Sequence, residues 1–329
     1  MKKNYIFDLY GTLVDIVADE AKPALWKHLA EFYKVYGCLW TPAQLKETFL
    51  FMDAEERRIL AEKIHTDRPE IKLERVFIRL LFEPPVSGNG DSSNPHAPVT
   101  GVASKPVVSA AKEFSVHHSP INTDISLLGP CYNPQHMQIK GVSISTWRRR
   151  YVKDKEATIQ SLMTSDWVVA VSNLFRITSR KHLRLYKNTV STLKALHAAG
   201  KKVFLLSNAQ KIFTMPELEE LELPALFDEM YISSDAEMMK PEKRFMELLL
   251  TKEGLDPKDC VMVGNDFFSD IAIARRTGMD SFFLNTAHDT EEEVSRKYKR
   301  LCALEKNPKK VRTKIILSGD IKEILTDEF

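Results

Sequence analysis

The chain has 329 residues with 47 Lys and Arg against 45 Asp and Glu, a formal charge of +2. That balance gives no electrostatic reason to expect nucleic acid or a membrane surface as its main partner. At about 150 residues per domain the length allows two domains, and a hydrophobic fraction of 43% supplies a sizeable core. The four cysteines, Cys38, Cys131, Cys260 and Cys302, are far apart and form no CxxC pair. This argues against a disulfide framework or a zinc site and for reduced thiols in a cytoplasmic setting. No run approaches the ~20 apolar residues of a membrane span, and Asp8 interrupts the apolar stretch behind Met1-Lys2-Lys3 that a signal peptide would need.

In chain order, residues 4–7 (Asn-Tyr-Ile-Phe) form a short buried strand that ends at Asp8, and Gly11 and Thr12 supply turn chemistry. From about 16 to 82 the pattern is helical, with Ala21, Leu25, Leu29, Phe32 and Tyr36 recurring every three or four residues. Gly37 stops that helix, Thr41-Pro42 reads as an N-cap followed by proline at the first helical position, and a third helix runs from about Pro69 to Leu81. Residues 84–145 turn rich in Pro, Ser, Gly and Asn without a sustained period. They are expected to be loop or disordered, with a short ordered piece near 131–145. Helical pattern returns at about 154–175. After about 186, helix and strand alternate: helix 188–199, strand 203–206, and further strands at 230–233, 260–263, 281–285 and 314–317. Such alternation implies a parallel sheet with right-handed crossovers. The expected fold is therefore a three-layer α/β Rossmann-like core, residues 1–15 plus 186–329, interrupted by an inserted helical domain, residues 16–185.

Open parallel sheets bind ligands at the carboxyl ends of their strands. Asp8, Ser207, Lys240 and Asp266 all sit at or just after such ends. Singly, each has an ordinary explanation. An Asp or Ser after a strand often caps the next helix, Lys240 before Pro241 could be a solvated loop residue, and Asp270 an ordinary acid of a first helical turn. Together and in this order they point to one site.

Asp8-Leu9-Tyr10-Gly11-Thr12-Leu13 resembles the first motif of the haloacid dehalogenase (HAD) superfamily. Leu206-Ser207-Asn208 resembles the second, Lys240-Pro241 the third, and Gly264-Asn265-Asp266-Phe267-Phe268-Ser269-Asp270 the fourth. The resemblance covers the core and implies a helical cap of the C1 type inserted after the first motif. It also implies a hydrolase acting on a small-molecule substrate. Asp8 would be the nucleophile, and Thr12, Ser207, Asn208 and Lys240 would hold the transferring group. Mg²⁺ would sit on Asp8, Asp266, the backbone carbonyl of Tyr10 and, directly or through water, Asp270. A carboxylate nucleophile splits one difficult displacement into two steps, and oxygen ligands with few carboxylates suit magnesium.

One position departs from the phosphatase pattern. Most HAD phosphatases carry a second Asp two residues after the nucleophile as general acid and base; here that residue is Tyr10. The haloacid dehalogenases also carry Tyr there, since a halide leaves without a proton, but their fourth motif generally lacks the paired acids kept here as Asp266 and Asp270. Three readings follow: a magnesium-dependent phosphohydrolase, a metal-independent C–X hydrolase, and a binding protein with a degraded site. Lesser signals are Trp147 followed by Arg148, Arg149 and Arg150, read as a solvated helix start, and His117, His118, Cys131 and His136, whose spacing suits a transition metal poorly. Arg57, Arg58, Arg176 and Arg180, in or beside the helical insertion, could each offer a bidentate fork to an anion, and none is singled out.

Overall fold

The computed structural model describes residues 2–85, 137–306 and 310–326. Strands are β1 (Asn4–Phe7), β2 (Val14–Ala18), β3 (Gln138–Ile139), β4 (Val142–Ser143), β5 (Arg180–Leu185), β6 (Lys202–Ser207), β7 (Glu229–Ile232), β8 (Cys260–Gly264), β9 (Asp280–Leu284) and β10 (Thr313–Ile316). Helices are α1 (Pro23–Val35), α2 (Pro42–Ile64), α3 (Leu73–Phe82), α4 (Ile144–Lys153), α5 (Lys155–Leu162), α6 (Asp166–Ser179), α7 (Thr189–Ala198), α8 (Lys211–Glu220), α9 (Ser233–Ala236), α10 (Lys243–Glu253), α11 (Ala272–Thr277) and α12 (Glu291–Leu304). None of the described helices is long and apolar enough to cross a membrane.

Six strands form one parallel sheet in the order β10-β9-β8-β1-β6-β7. Side chains alternate across it. Tyr5, Phe7, Val203, Leu205, Val261 and Val263 meet α7, α8 and the turn at Ile321–Leu325 on one face. Ile6, Phe204, Leu206 and Met262 meet α10 and α11 on the other. Burial on both faces is what a parallel sheet requires and why its strands read as nearly continuous apolar runs. The α/β, three-layer expectation describes this half of the chain. The short β1 lies between β6 and β8, so Asp8 emerges at the middle of the sheet's carboxyl edge.

Two sequence expectations are corrected. The helical pattern does not begin at about 16: Val14–Ala18 is a strand, paired antiparallel with β5. Its β-branched Val14, Ile16 and Val17 suit a pleated ribbon, and α1 starts only at Pro23, which occupies the first helical turn. The third helix starts at Leu73 rather than Pro69. Pro69 instead makes an antiparallel bridge to Met238, and Gln210 Oε1 accepts from the amide of Leu73, 3.0 Å away. Thr41 does cap α2, in a capping box with Gln44. The region 154–175 resolves into two helices with a further one, α4, before it; Asp154 and Ser165 cap α5 and α6. Arg148, Arg149 and Arg150 lie exposed on α4. Residues 137–143 form the β3–β4 hairpin, while the rest of the loop-rich expectation from 86 onward, with His117, His118, Cys131 and His136, lies outside the described residues.

Helices α1–α6 build an apolar core of their own around Leu25, Trp26, Tyr33, Phe49, Phe77 and Phe175. Phe213 of α8 joins them, its ring stacked on Phe175 at 5.9 Å. Phe175 is fully buried and also meets Trp26, Phe49 and Phe77. Its contact with Phe213 is one place where the inserted helices pack on the sheet half. Phe175→Ala is expected to lower unfolding free energy by about 3–5 kcal/mol, read by urea titration. A loss under about 1 kcal/mol would show that the cluster collapses around the gap.

Candidate active site

Asp8 follows β1, and its amide donates to Val263 O of β8 at 2.9 Å. Lys240 Nζ donates to Asp8 Oδ1 and to Asp270 Oδ1, both at 2.7 Å. The lysine and Asp270 side chains are each 1% exposed. A buried ammonium is tolerated only when paired and hydrogen-bonded, and here two carboxylates meet that need. The Lys240 backbone is fixed as well: its amide donates to Asn208 Oδ1 at 2.7 Å, and Asn208 Nδ2 donates to its carbonyl at 3.0 Å. The peptide bond to Pro241 is cis. Asn208 thus holds the lysine's backbone.

The turn after Asp8 closes on a single carbonyl. Leu9 O accepts from the amides of Thr12, Leu13 and Val14, and the Gly11 amide donates to Val14 O. Gly11 has φ +82°, and an added Cβ would stand 2.3 Å from Asn265 Nδ2, so only glycine fits. Thr12 Oγ1 donates to Asp8 Oδ2 at 3.1 Å and lies 3.3 Å from Asn265 Oδ1. On the facing loop, Asp270 Oδ2 accepts from the amides of Asn265 and Asp266 at 3.1 and 3.0 Å. A Cβ on Gly264 would collide with that carboxylate. Asp266 Oδ1 accepts from Phe268 N at 2.7 Å, and a cavity of about 250 Å³ borders Asn265 and Asp266. Ser207 Oγ, at the end of β6, is buried without a hydrogen-bond partner. A buried hydroxyl left unmatched costs free energy unless something fills the site.

Asp8, Thr12, Ser207, Asn208, Lys240, Asp266 and Asp270 therefore all lie on neighbouring loops at the carboxyl edge of the sheet. Three carboxylates face one ammonium there, an excess of two negative charges. Among the described residues no three His, Cys, Asp or Glu side chains form a ready-made metal cage. Magnesium does not require one, because it keeps several waters and takes one or two carboxylates. Asp8, Asp266 and Asp270 supply carboxylate oxygens of that kind. Asp270 accepts from Lys240 and from two loop amides, as Asp8 accepts from Lys240 and Thr12.

A family model for haloacid dehalogenase-like hydrolases matches residues 2–278. The chain belongs to that family. A glyceraldehyde 3-phosphate phosphatase of Methanothermobacter thermautotrophicus is 36% identical over 104 residues, which is 32% of this chain and 46% of that protein. A phosphoglycolate phosphatase of Aliivibrio fischeri is 32% identical over 111 residues, 34% of this chain and 48% of that one. The chain spans about half the length of the curated relatives it matches. Among solved structures, a 2-haloacid dehalogenase from Pseudomonas syringae pv. Tomato superposes over 99% of both chains with TM-score 0.50 and 16% identity, a likeness of fold.

This HAD-like site has a neighbour that the sequence did not disclose. The Tyr10 phenol donates to Glu217 Oε2 at 2.5 Å and lies 3.2 Å from Thr214 Oγ1. Burial first, and then the Glu217 charge, push that phenol far above the ordinary tyrosine range, so Tyr10 keeps its proton and cannot act as a base. Arg176 of α6 grips Glu217 with Nε at 2.7 Å and Nη2 at 3.0 Å, and Arg180 Nη1 adds a contact at 3.2 Å. Burial alone would raise the Glu217 carboxyl, but the arginines and the phenol outweigh it and hold it below its usual range. Arg57 is likewise engaged, by Asp53 and Glu70, and Arg58 by Glu62. Glu217 looked like one acid among several in Glu217-Leu218-Glu219-Glu220; no periodicity or motif distinguishes it.

Burial lifts the Asp8 carboxyl from an ordinary 3.8 to about 6, with Lys240 pulling against that rise and Asp270 adding to it. Burial would lower the Lys240 ammonium, yet Asp270 and Asp8 hold it above its usual value. Asp266 is raised by burial and by the Asp270 charge. For Asp8 the folded chain holds the proton more tightly than the unfolded chain does. Its ionisation therefore costs folding stability as pH climbs from about 4 to about 6. Asp8→Asn lacks this cost. In EDTA its stability advantage over the parent is expected to widen by about 2 kcal/mol between pH 4 and pH 7. Urea titrations giving parallel pH profiles for the two proteins would contradict the assignment.

Proposed function

We propose that this chain is a magnesium-dependent phosphohydrolase acting on a small phosphorylated metabolite, with Asp8 as nucleophile and helices α1–α6 as the cap over the site. The observation that carries the reading is the Asp8–Lys240–Asp270 cluster with Asp266 beside it and Ser207 unpartnered. It offers an aimed carboxylate, a fixed ammonium, a spare hydroxyl and an excess of negative charge awaiting a cation. The names of the two phosphatase relatives support a phosphorylated small molecule as the substrate class. Among the described residues, the free thiols Cys38, Cys260 and Cys302 suit a cytoplasmic setting.

In the first step an Asp8 oxygen bonds to phosphorus as the bond from phosphorus to the leaving oxygen breaks, giving an acyl phosphate on Asp8. Water then cleaves that intermediate and restores the carboxylate. Thr12 orients Asp8 through Oδ2, and the Lys240 ammonium and Ser207 hydroxyl take up charge on the phosphoryl oxygens. Asn208 keeps Lys240 in place, and Asp270 orders both Lys240 and the loop that carries Asp266. Asp8, Asp266 and the Tyr10 carbonyl would hold magnesium, whose charge would shield the phosphate dianion from the nucleophile.

Tyr10 bears on the choice of substrate. Its proton is spent on Glu217, so that position supplies no acid to a departing alkoxide, and a missing general acid costs about 10²–10⁴-fold. Acyl and aryl phosphates need no such help. The same observation favours a second reading, metal-independent C–X hydrolysis, since a halide also leaves unprotonated. With Mg²⁺, kcat/KM for acetyl or p-nitrophenyl phosphate is expected to exceed that for a plain alkyl phosphate by at least about 10²-fold, and EDTA and Asp8→Asn should each abolish turnover. Halide release from 2-chloropropionate in EDTA would replace this reading with the second. Silence in both assays would leave a binding protein.

A further inference from the structure

Glu217 lies on α8, outside the four motif loops, yet it is 3% exposed. One side receives the Tyr10 phenol from the nucleophile turn; the other receives Arg176 in a two-point grip and Arg180 at the exit from the inserted helices. The Arg176 guanidinium also lies over the rings of Tyr10 and Phe213, at 5.6 and 5.4 Å from their centroids. Thr214, one turn earlier on α8, is fully buried and completes the phenol's surroundings. The nucleophile turn, the last inserted helix and α8 thus meet at one carboxylate.

We propose that Glu217 is a positioning residue for the nucleophile turn, acting on Asp8 through Tyr10 and tying that turn to the seating of the inserted helices through Arg176. The physical basis is short. Tyr10 lies two residues after Asp8, in a turn where Leu9 O accepts from the amides of Thr12, Leu13 and Val14 and the Gly11 amide donates to Val14 O. Leu13 O accepts from the Tyr186 amide and Gly11 O from the Thr286 hydroxyl, and the Tyr10 phenol adds the tie to α8. A charge-assisted bond from a buried phenol to a carboxylate is among the stronger neutral-donor bonds. The two arginines keep Glu217 ionised and stationary, so a shift of α6 relative to α8 is transmitted to Tyr10. The proposal concerns the geometry of the turn. Its consequence for rate rests on the phosphohydrolase reading.

The test is a double-mutant cycle of Tyr10→Phe and Glu217→Gln in the full chain. Two quantities are read: amide hydrogen exchange at Gly11 and Thr12, corrected for global stability by urea titration, and Mg²⁺-dependent turnover of acetyl phosphate. If Glu217 positions the turn through Tyr10, each single variant speeds exchange at those two amides by about tenfold. The double variant does no worse than the larger single one, since both break the same path. kcat should fall by about tenfold or more with KM little changed, and Arg176→Lys, which keeps one charge but not the fork, should fall between parent and Glu217→Gln. Exchange that follows global stability alone, or effects that add in the double variant, overturns the proposal even if the enzyme is active. Coupled exchange in a protein that never cleaves acetyl phosphate upholds the positioning role and removes the phosphohydrolase reading instead.

Discussion

The Lys240 ammonium stands between Asp8 and Asp270, 2.7 Å from each and almost wholly buried. Its partners arise 262 residues apart, one after the first strand and one beyond β8. An unpaired ammonium in that position would be strongly destabilising, so the cluster is tolerable only once β1, β6, β7 and β8 lie side by side. Asn208 extends the dependence to the loop after β6 by bonding both backbone groups of Lys240. The second oxygen of Asp270 closes the loop that carries Asp266. One carboxylate thus joins the lysine to the loop after β8, and the other joins it to the turn after β1.

The inserted helices act on this cluster from two sides. At one edge, the segment between α2 and α3 lies along the approach to Lys240. The Glu70 amide donates to Glu237 O and the Met239 amide to Arg68 O, both at 3.0 Å. Gln210, two residues beyond Asn208, donates to Glu70 Oε1 and Ile71 O. At the other edge, Arg176 and Arg180 meet Glu217 beside Tyr10. Between them lies the aromatic cluster around Phe175 and Phe213. Apolar burial holds the two halves together, and the polar contacts at its two edges reach the segments that carry Tyr10, Asn208 and Lys240. A helical layer with these attachments is part of the framework of those three segments.

Much of this was legible in the sequence, for identifiable reasons. Strands buried on both faces leave short apolar runs with few alternatives, so β6, β8, β9 and β10 fall within one or two residues of their expected limits. Asp8, Ser207, Lys240 and Asp266 each had an ordinary explanation alone, and only their order along the chain pointed to one place. The β2–β5 ribbon was not legible. Val14–Ala18 is five residues long, merges into a helical period, and is defined by a partner more than 160 residues away. The start of α3 was misplaced because Pro69 looks like a first helical residue, whereas its place is set by a bridge to Met238. Gln210 and Glu217 had no local signal at all, since their importance comes entirely from what packs against them.

Tyr10 shows how such a hidden partner changes the meaning of a visible residue. Read alone, it is a missing acid. Beside Glu217 it is a donor with a fixed partner. An ionised carboxyl at position 10 would have no proton to offer Glu217, and its charge would add to that of Glu217. The phenol instead donates a proton to Glu217 and presents its ring to Arg176. Position 10 and position 217 are therefore read together: an ionised carboxyl at position 10 would leave Glu217 without the phenol's donor, and the Arg176 fork would then be its main partner. The Asp8 turn is linked through that phenol and Glu217 to the inserted helix that carries Arg176.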